Sequence, residues 1–167
     1  MIKALKLKVI VSGQRRLIST RRSTHFIKSQ LSRFVIMGLQ TIYLVEDNKD
    51  NADLFNELLS EFFEISCFTT GMDLLQFLGD NPGEKPDLFV LDISLPGIDG
   101  VSLMKRIRSD YHYQDIPILA LTAHAMADDK RRLIQAGFDW YLSKPILSEE
   151  ELFHVVDGLM SRSLLEK

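Results

Sequence analysis

Charged and hydroxyl side chains follow four apolar segments of the chain, each at the point where a strand would end. They are Glu46 and Asp47 after the first segment, Asp92 and Thr122 after two central ones, and Lys144 after the last. Carboxylates that lie close together repel and raise one another's pKa unless a positive group lies among them. A dication bound by oxygens relieves this repulsion, and magnesium is the usual ion where a protein offers only two or three oxygens.

Lys144 and Thr122 are then available to bind an anion beside such a metal. A carboxylate nucleophile, a magnesium ion, a lysine and a hydroxyl donor are the groups needed to accept a phosphoryl group. Whether these side chains meet depends on the elements that carry them.

From Thr41 onward, short apolar runs alternate with amphipathic stretches, a pattern that predicts alternating strands and helices. The predicted strands are 41–45, 64–68, 87–91, 117–122 and 140–143, and the predicted helices are 51–63, 71–80, 99–110, 127–138 and 148–167. Right-handed crossovers turn this alternation into an α/β fold, a parallel sheet with helices on both faces. In such sheets the ligand site lies beyond the carboxyl ends of the strands.

Four stretches of the chain resemble the receiver domain of two-component response regulators, the phosphoacceptor partner of a histidine kinase. They are YLVEDNKDN (43–51), VLDISLPGIDG (90–100), ALTAHA (120–125) and GFDWYLSKPI (137–146). The resemblance implies a five-stranded, doubly wound, flavodoxin-like sheet of order 2-1-3-4-5 with five helices, in a domain spanning residues 39–167.

The resemblance also implies a role for each side chain of the predicted site. Asp92 would take the phosphoryl group, and Mg²⁺ would be bound by Asp47, by Asp92, by the main-chain oxygen of Ser94 and, through water, by Glu46. Thr122 and Lys144 would each contact a phosphoryl oxygen. These assignments make the domain a phosphoacceptor that assists its own phosphorylation and dephosphorylation, with no separate substrate to turn over.

The resemblance further implies a switch beside this site. The Lys144–Pro145 peptide would be cis and aim the lysine inward. Tyr141 would turn inward when Thr122 moves toward the phosphate. Trp140 departs from the family, because a small or polar residue is more usual beside the switch tyrosine.

Several partners follow from the same resemblance. A histidine kinase or histidine phosphotransfer protein would dock on the first helix, whose exposed candidates are Lys49, Asp50 and Asp53. A downstream protein would bind the face formed by the fourth helix, the fifth strand and the fifth helix. No output or DNA-binding domain follows the fifth helix, so we expect a stand-alone module; a phosphorylation-dependent dimer stays open.

Two other classes of function compete with this interpretation. Phosphohydrolases of the haloacid dehalogenase type also use a strand-end Asp with magnesium, but they need a second Asp two residues later as general acid. Ser94 occupies that position and cannot act so. A pseudo-receiver would bind partners without taking phosphate, but such proteins usually lose the acceptor, the acidic pair or the lysine, and this chain keeps all of them.

The first 40 residues differ in charge from the rest of the chain. They hold nine of the 20 basic residues and none of the 23 acidic ones, so the other 127 residues carry an excess of 12 acidic side chains. That excess opposes binding of the domain to nucleic acid. We expect residues 1–38 to be an unstructured extension, for which three explanations compete: translation starting at Met37, an organellar transit peptide, or a basic tail.

Cellular context rests on weaker signals. Cys67 is the only cysteine, which excludes an internal disulfide, and its apolar neighbours predict a small buried side chain. The longest apolar stretch, 34–45, is too short to span a bilayer. We therefore expect a cytoplasmic protein, or an organellar one if residues 1–36 are a transit peptide.

Overall fold

The computed structural model describes the backbone of residues 5–11, 14–20, 40–123 and 127–165, and the side chains of residues 40–123 and 129–161. Two strands, β1 (Leu5–Val11) and β2 (Gln14–Thr20), lie in the basic N-terminal segment and pair antiparallel. The remaining described strands are β3 (Thr41–Val45), β4 (Glu64–Phe68), β5 (Leu88–Asp92), β6 (Ile118–Thr122) and β7 (Trp140–Ser143). The described helices are α1 (Lys49–Leu59), α2 (Gly71–Asp80), α3 (Gly100–Ser109), α4 (Ala127–Ala136) and α5 (Glu149–Leu165).

Strands β3 to β7 form one parallel sheet in the order β4-β3-β5-β6-β7. Counted along these five strands, this is the order 2-1-3-4-5 that the resemblance to receiver domains implies, with strands and helices in strict alternation. The central strands β5 and β6 are buried at every position, as expected for strands covered on both faces.

Two apolar layers enclose the sheet. One packs α1 and α5 against the sheet through Phe55, Leu59, Phe153 and Val156. The other packs α2, α3 and α4 on the opposite face, and it includes Tyr43, whose ring makes edge contacts with three phenylalanines. None of the helices in the described part of the chain combines the length and apolar character needed to cross a membrane.

Three details differ from the sequence-based expectations. Residues 5–11 and 14–20 are paired strands where no regular structure is predicted; the alternation of apolar and basic residues in LKLKVIV favours an extended chain. Helix α1 ends at Leu59, not at residue 63, because the chain turns there and packs Phe62 and Phe63 beside Phe153. Cys67 is exposed rather than buried, and it lies on β4, the edge strand of the described parallel sheet.

Helix α3 begins beside the end of β5 and is capped by Asp99. The carboxylate of Asp99 accepts hydrogen bonds from the backbone N–H and the hydroxyl of Ser102, at 2.9 and 2.7 Å. These bonds, that of the backbone N–H first, hold the pKa of Asp99 below its usual range. The cap fixes where α3 starts, directly after the loop that follows Asp92.

We predict that Asp99→Ala lowers the free energy of unfolding by about 1 kcal/mol at neutral pH, the usual cost of removing an N-cap. Because the folded pKa of Asp99 is depressed, the stabilisation is present above the unfolded pKa and is lost as pH falls through the folded value. The loss relative to wild type should therefore shrink below about pH 4. Urea unfolding between pH 7 and pH 3 measures it, with the exposed Asp115→Ala as control; an equal loss at both ends of this range would contradict the prediction.

Candidate functional site

The parallel sheet brings the predicted side chains to one edge. Asp92 and Thr122 are the last residues of β5 and β6, Glu46 directly follows β3, and Lys144 directly follows β7. Hydrogen bonds from Lys144 N to Thr122 O (2.8 Å) and from Ile93 N to Leu121 O (2.9 Å) extend the pairing beyond the strand ends. The backbone therefore holds these residues in register where the strands end.

Lys144 lies between two buried carboxylates. Its Nζ is 2.6 Å from Glu46 Oε2 and 2.8 Å from Asp92 Oδ2. The side chains of Glu46 and Asp92 are 1% and 4% exposed, and that of Lys144 is 16% exposed. The Lys144–Pro145 peptide is cis. One ammonium group thus neutralises part of the charge of two carboxylates that are shielded from water.

Glu46 is held at both of its carboxylate oxygens. Oε1 accepts hydrogen bonds from Asn51 Nδ2 at 3.0 Å and from the backbone N–H of Asn48 at 3.3 Å. Oε2 is buried and has no hydrogen bond of good geometry, so its partner is the ion-pair contact with Lys144. Neither asparagine was predicted from the sequence to be a site residue. The sequence signal that could have indicated Asn51 is its position, because its short amide side chain lies in the first turn of α1, five residues after Glu46.

Asp92 is constrained by its own loop and by α3. Its Oδ1 accepts a hydrogen bond from Ser94 N at 3.0 Å. Gly100 packs against the backbone of Asp92 so closely that a Cβ there would lie 2.3 Å from the Asp92 carbonyl oxygen and 2.8 Å from Ile93 Cα. Only glycine allows α3 to approach the strand end this closely. The position of Gly100 thus limits how far the backbone that carries Asp92 can move.

The carboxylates of Glu46, Asp47 and Asp92 form a cluster with metal-binding geometry. One oxygen from each lies within 4.8 Å of the others, and Asp47 is exposed whereas the other two are buried. All the donors are carboxylate oxygens, the ligands preferred by hard cations such as Mg²⁺. The buried Oε2 of Glu46, which lacks a good hydrogen bond, is a further acceptor at this place. These residues therefore fit a hard divalent cation, bound where Asp47 opens the cluster to solvent.

Thr122 and Tyr141 lie at different levels of neighbouring strands. Thr122 is 4% exposed and pairs in register with Ser143, whereas Tyr141 pairs with Ala120. Thr122 borders a cavity of about 270 Å³ between the sheet, α3 and α4. Tyr141 is half-buried, with Lys130 Nζ 5.0 Å from its ring centre and the Trp140 ring stacked at 6.1 Å. Thr122 thus lies at the strand ends with the acidic residues, whereas Tyr141 lies at the level of Ala120, two residues before Thr122 along the strand direction.

We predict that Lys144→Met lowers the free energy of unfolding by about 3 kcal/mol at pH 8 without magnesium, because Glu46 and Asp92 are left buried without a cation. Urea unfolding at pH 8 tests this, with the exposed Lys105→Met as matched control. A loss no larger than that of the control would show that the ammonium does not compensate these carboxylates.

Two solved structures show the same fold. The receiver domain of the Francisella response regulator 1452 is 27% identical, with a TM-score of 0.66, and the match covers 74% of this chain and 98% of that one. The Mn²⁺-bound form of response regulator Rcp1 is 28% identical, with a TM-score of 0.60, over 73% of this chain and 92% of that one.

Two curated relatives match nearly the same part of the chain. The polar-differentiation response regulator DivK of Brucella anthropi is 34% identical over 108 residues, which cover 64% of this chain and 85% of DivK. The sensor histidine kinase GacS of Pseudomonas protegens is 40% identical over 119 residues, 69% of this chain. The match spans only 12% of the length of GacS, so the activity of that whole protein does not transfer to this chain.

The family model of the response regulator receiver domain matches residues 42–157, which include the parallel sheet except its first residue, Thr41, and all the residues of the acidic cluster. The strand order, the strand-end carboxylates and the lysine that bridges them agree with this match. The chain belongs to the response regulator receiver family.

Proposed function

We propose that the chain accepts a phosphoryl group on Asp92 from a phosphohistidine of a histidine kinase or a histidine phosphotransfer protein. The observation that carries this proposal is the shared ion pair, in which Lys144 Nζ contacts both Glu46 and Asp92 at the end of the sheet. The ion pair holds the carboxylate of Asp92 at the end of its strand, and a carboxylate can act as the nucleophile in such a transfer.

In the proposed reaction a carboxylate oxygen of Asp92 attacks the phosphorus of the phosphohistidine. A P–O bond forms as the P–N bond breaks, and the departing imidazole nitrogen keeps the bonding electron pair and takes a proton from solvent. The product on this chain is an acyl phosphate. Lys144, which already lies 2.8 Å from Asp92 Oδ2, would move its ammonium to a phosphoryl oxygen, and the Thr122 hydroxyl would donate to another.

We assign Mg²⁺ as the cofactor, held by Asp47, Asp92 and the main-chain oxygen of Ser94, with Glu46 as a more remote acidic partner. When bound, the ion supplies charge neutralisation for the phosphoryl oxygens. The all-oxygen donor set of the acidic cluster supports this assignment, and Rcp1, a structural relative, is known in a Mn²⁺-bound form. The residues of this chain orient the acceptor carboxylate and exclude water from two of the three acids.

We propose that the signal leaves through the face formed by α4, β7 and α5. Thr122 would move toward the phosphoryl group, Tyr141 would turn into the space behind it, and this face would change its affinity for a downstream protein. A groove of about 220 Å³ on this face is bordered by Trp140, Val155 and Leu159, and Trp140 is 44% exposed. The 270 Å³ cavity beside Thr122 supplies room for a side chain to move.

The upstream partner would dock beside α1, whose exposed side chains Lys49 and Asp53 form an ion pair with one another. Receiver domains are signalling modules, and Ser94 stands where a phosphohydrolase would need its general acid, so turnover of free phosphate esters is not part of the proposal. The proposal includes the cytoplasm as the site of action, where a histidine kinase would present its phosphohistidine.

We predict that the full chain, incubated with phosphoramidate and Mg²⁺, shows a mobility shift on a phosphate-affinity gel. Asp92→Asn should abolish the shift because the amide is not a nucleophile, and chelation of magnesium should abolish it in wild type. Asp115→Asn, a change of the same chemistry at an exposed position, is the matched control and should shift like wild type.

A shift that persists in Asp92→Asn would place the acceptor elsewhere. No shift in any folded variant would favour the pseudo-receiver, a module that binds partners without taking phosphate.

We predict that phosphorylation changes the emission of Trp140, the only tryptophan of the chain, because its ring stacks on Tyr141. The change should require both the phosphodonor and Mg²⁺, and Tyr141→Ala should remove it. Tyr141→Phe keeps the ring and should retain it. If Tyr141→Ala is phosphorylated and still gives the wild-type change in emission, the switch does not run through this aromatic ring.

A further inference from the structure

Asn51 is the only side chain in the described part of the chain that hydrogen-bonds to Glu46, apart from the ion pair with Lys144. Its Nδ2 donates to Glu46 Oε1 at 3.0 Å, and it lies in the first turn of α1, five residues further along the chain. The helix start is itself fixed, because the Asn48 side chain accepts a hydrogen bond from Asn51 N at 3.1 Å. The amide of Asn51 therefore presents its donor from a rigid position.

A buried glutamate needs such an anchor more than an aspartate does. Glu has one more rotatable bond, and fixing its side chain costs conformational entropy. The longer side chain of Glu46 also allows both of its carboxylate oxygens to turn toward the Lys144 ammonium. That orientation would weaken the contact between Lys144 and Asp92. In the structure this does not occur: Oε1 points to Asn51 and Asn48, and only Oε2 points to Lys144.

We infer that Asn51 is a positioning residue that separates the two oxygens of Glu46, so that Lys144 is shared between Glu46 and Asp92. The inference covers both the shared ion pair of the magnesium-free protein and, through Glu46, the affinity of the acidic cluster for magnesium; its consequence for phosphoryl transfer rests on the proposed function. Among the described residues, Asn51 forms no hydrogen bond with Asp92 or Lys144, so it acts only through the Glu46 carboxylate.

The position of Asn51 should also affect how tightly magnesium binds. Glu46 belongs to the acidic cluster with Asp47 and Asp92, and a side chain that orients a ligand or its neighbour commonly changes metal affinity by one or two orders of magnitude. Asn51→Ala should weaken Mg²⁺ binding about tenfold by this rule.

The deciding experiment is a double-mutant cycle on the full chain without magnesium, read by urea unfolding. Its four proteins are wild type, Asn51→Ala, Glu46→Met and the double variant. Asn51→Ala should raise the unfolding constant about tenfold when Glu46 is present, the usual effect of losing a hydrogen bond to a charged acceptor. It should raise this constant less than about twofold when residue 46 is the uncharged Met, because the interaction it removes is already gone.

Asn56→Ala is the matched control, because Asn56 is an exposed residue of the same helix. It should have the same small effect in both backgrounds. Should Glu46→Met not fold, Glu46→Asp takes its place in the cycle, since the shorter side chain draws the carboxylate away from Asn51. Mg²⁺ titration calorimetry on wild type, Asn51→Ala and Asn56→Ala adds a readout that a purely structural role of Asn51 would not change.

The experiments can overturn the inference about Asn51 and the phosphoacceptor proposal independently of each other. If Asn51→Ala raises the unfolding constant equally with and without the Glu46 carboxylate, or leaves Mg²⁺ affinity at the wild-type value, Asn51 is an ordinary helix residue and the inference is overturned. The phosphoacceptor proposal is untouched by that result. If the cycle shows coupling but no protein is phosphorylated, the Asn51–Glu46 pair stands and the proposed function does not.

Discussion

The ion pair that Lys144 shares with Glu46 and Asp92 is the interaction on which the site depends. Both carboxylates are almost fully buried, and removing such groups from water costs several kcal/mol each. One ammonium cannot neutralise both, so the cluster with Asp47 retains negative charge. This residual charge favours a divalent cation at the cluster, as the proposed function requires. The pair is therefore a source of specificity at the site more than a source of stability.

Backbone packing holds this charged cluster still. Asp92 ends a strand that is buried on both faces, and Gly100 packs against its carbonyl oxygen at a distance that no side chain would allow. The cap at Asp99 fixes the start of α3, and the N-cap at Asn48 fixes the start of α1. Two helix starts and two strand ends thus determine where the carboxylates lie, and this arrangement reduces the reorganisation needed when a phosphoryl group arrives.

Much of this arrangement could be predicted because it follows from local patterns. Strand-end residues were identified from apolar runs, and parallel strands bring their carboxyl ends to one edge whatever their detailed contacts. The predictions were wrong where contacts between residues distant in the chain determine the end of a helix or the exposure of a side chain. Phe62 fits the stripe of α1 by spacing, yet it lies beyond the end of that helix and packs against Phe153 of α5. Cys67 has apolar neighbours, yet it is exposed on β4, which lies at the edge of the parallel sheet in the described part of the chain.

By itself the sequence determined the alternation of strands and helices, the fold class and the identity of the strand-end carboxylates, hydroxyl and lysine. These follow from periodicity and from residue chemistry, which act over a few neighbouring residues. Only the tertiary structure decided that Lys144 contacts Glu46 as well as Asp92, that Asn51 holds the other oxygen of Glu46, and that Gly100 packs against the backbone of Asp92. Those contacts join residues on different elements, and their distances depend on how helices and strands pack, which one-dimensional spacing does not contain.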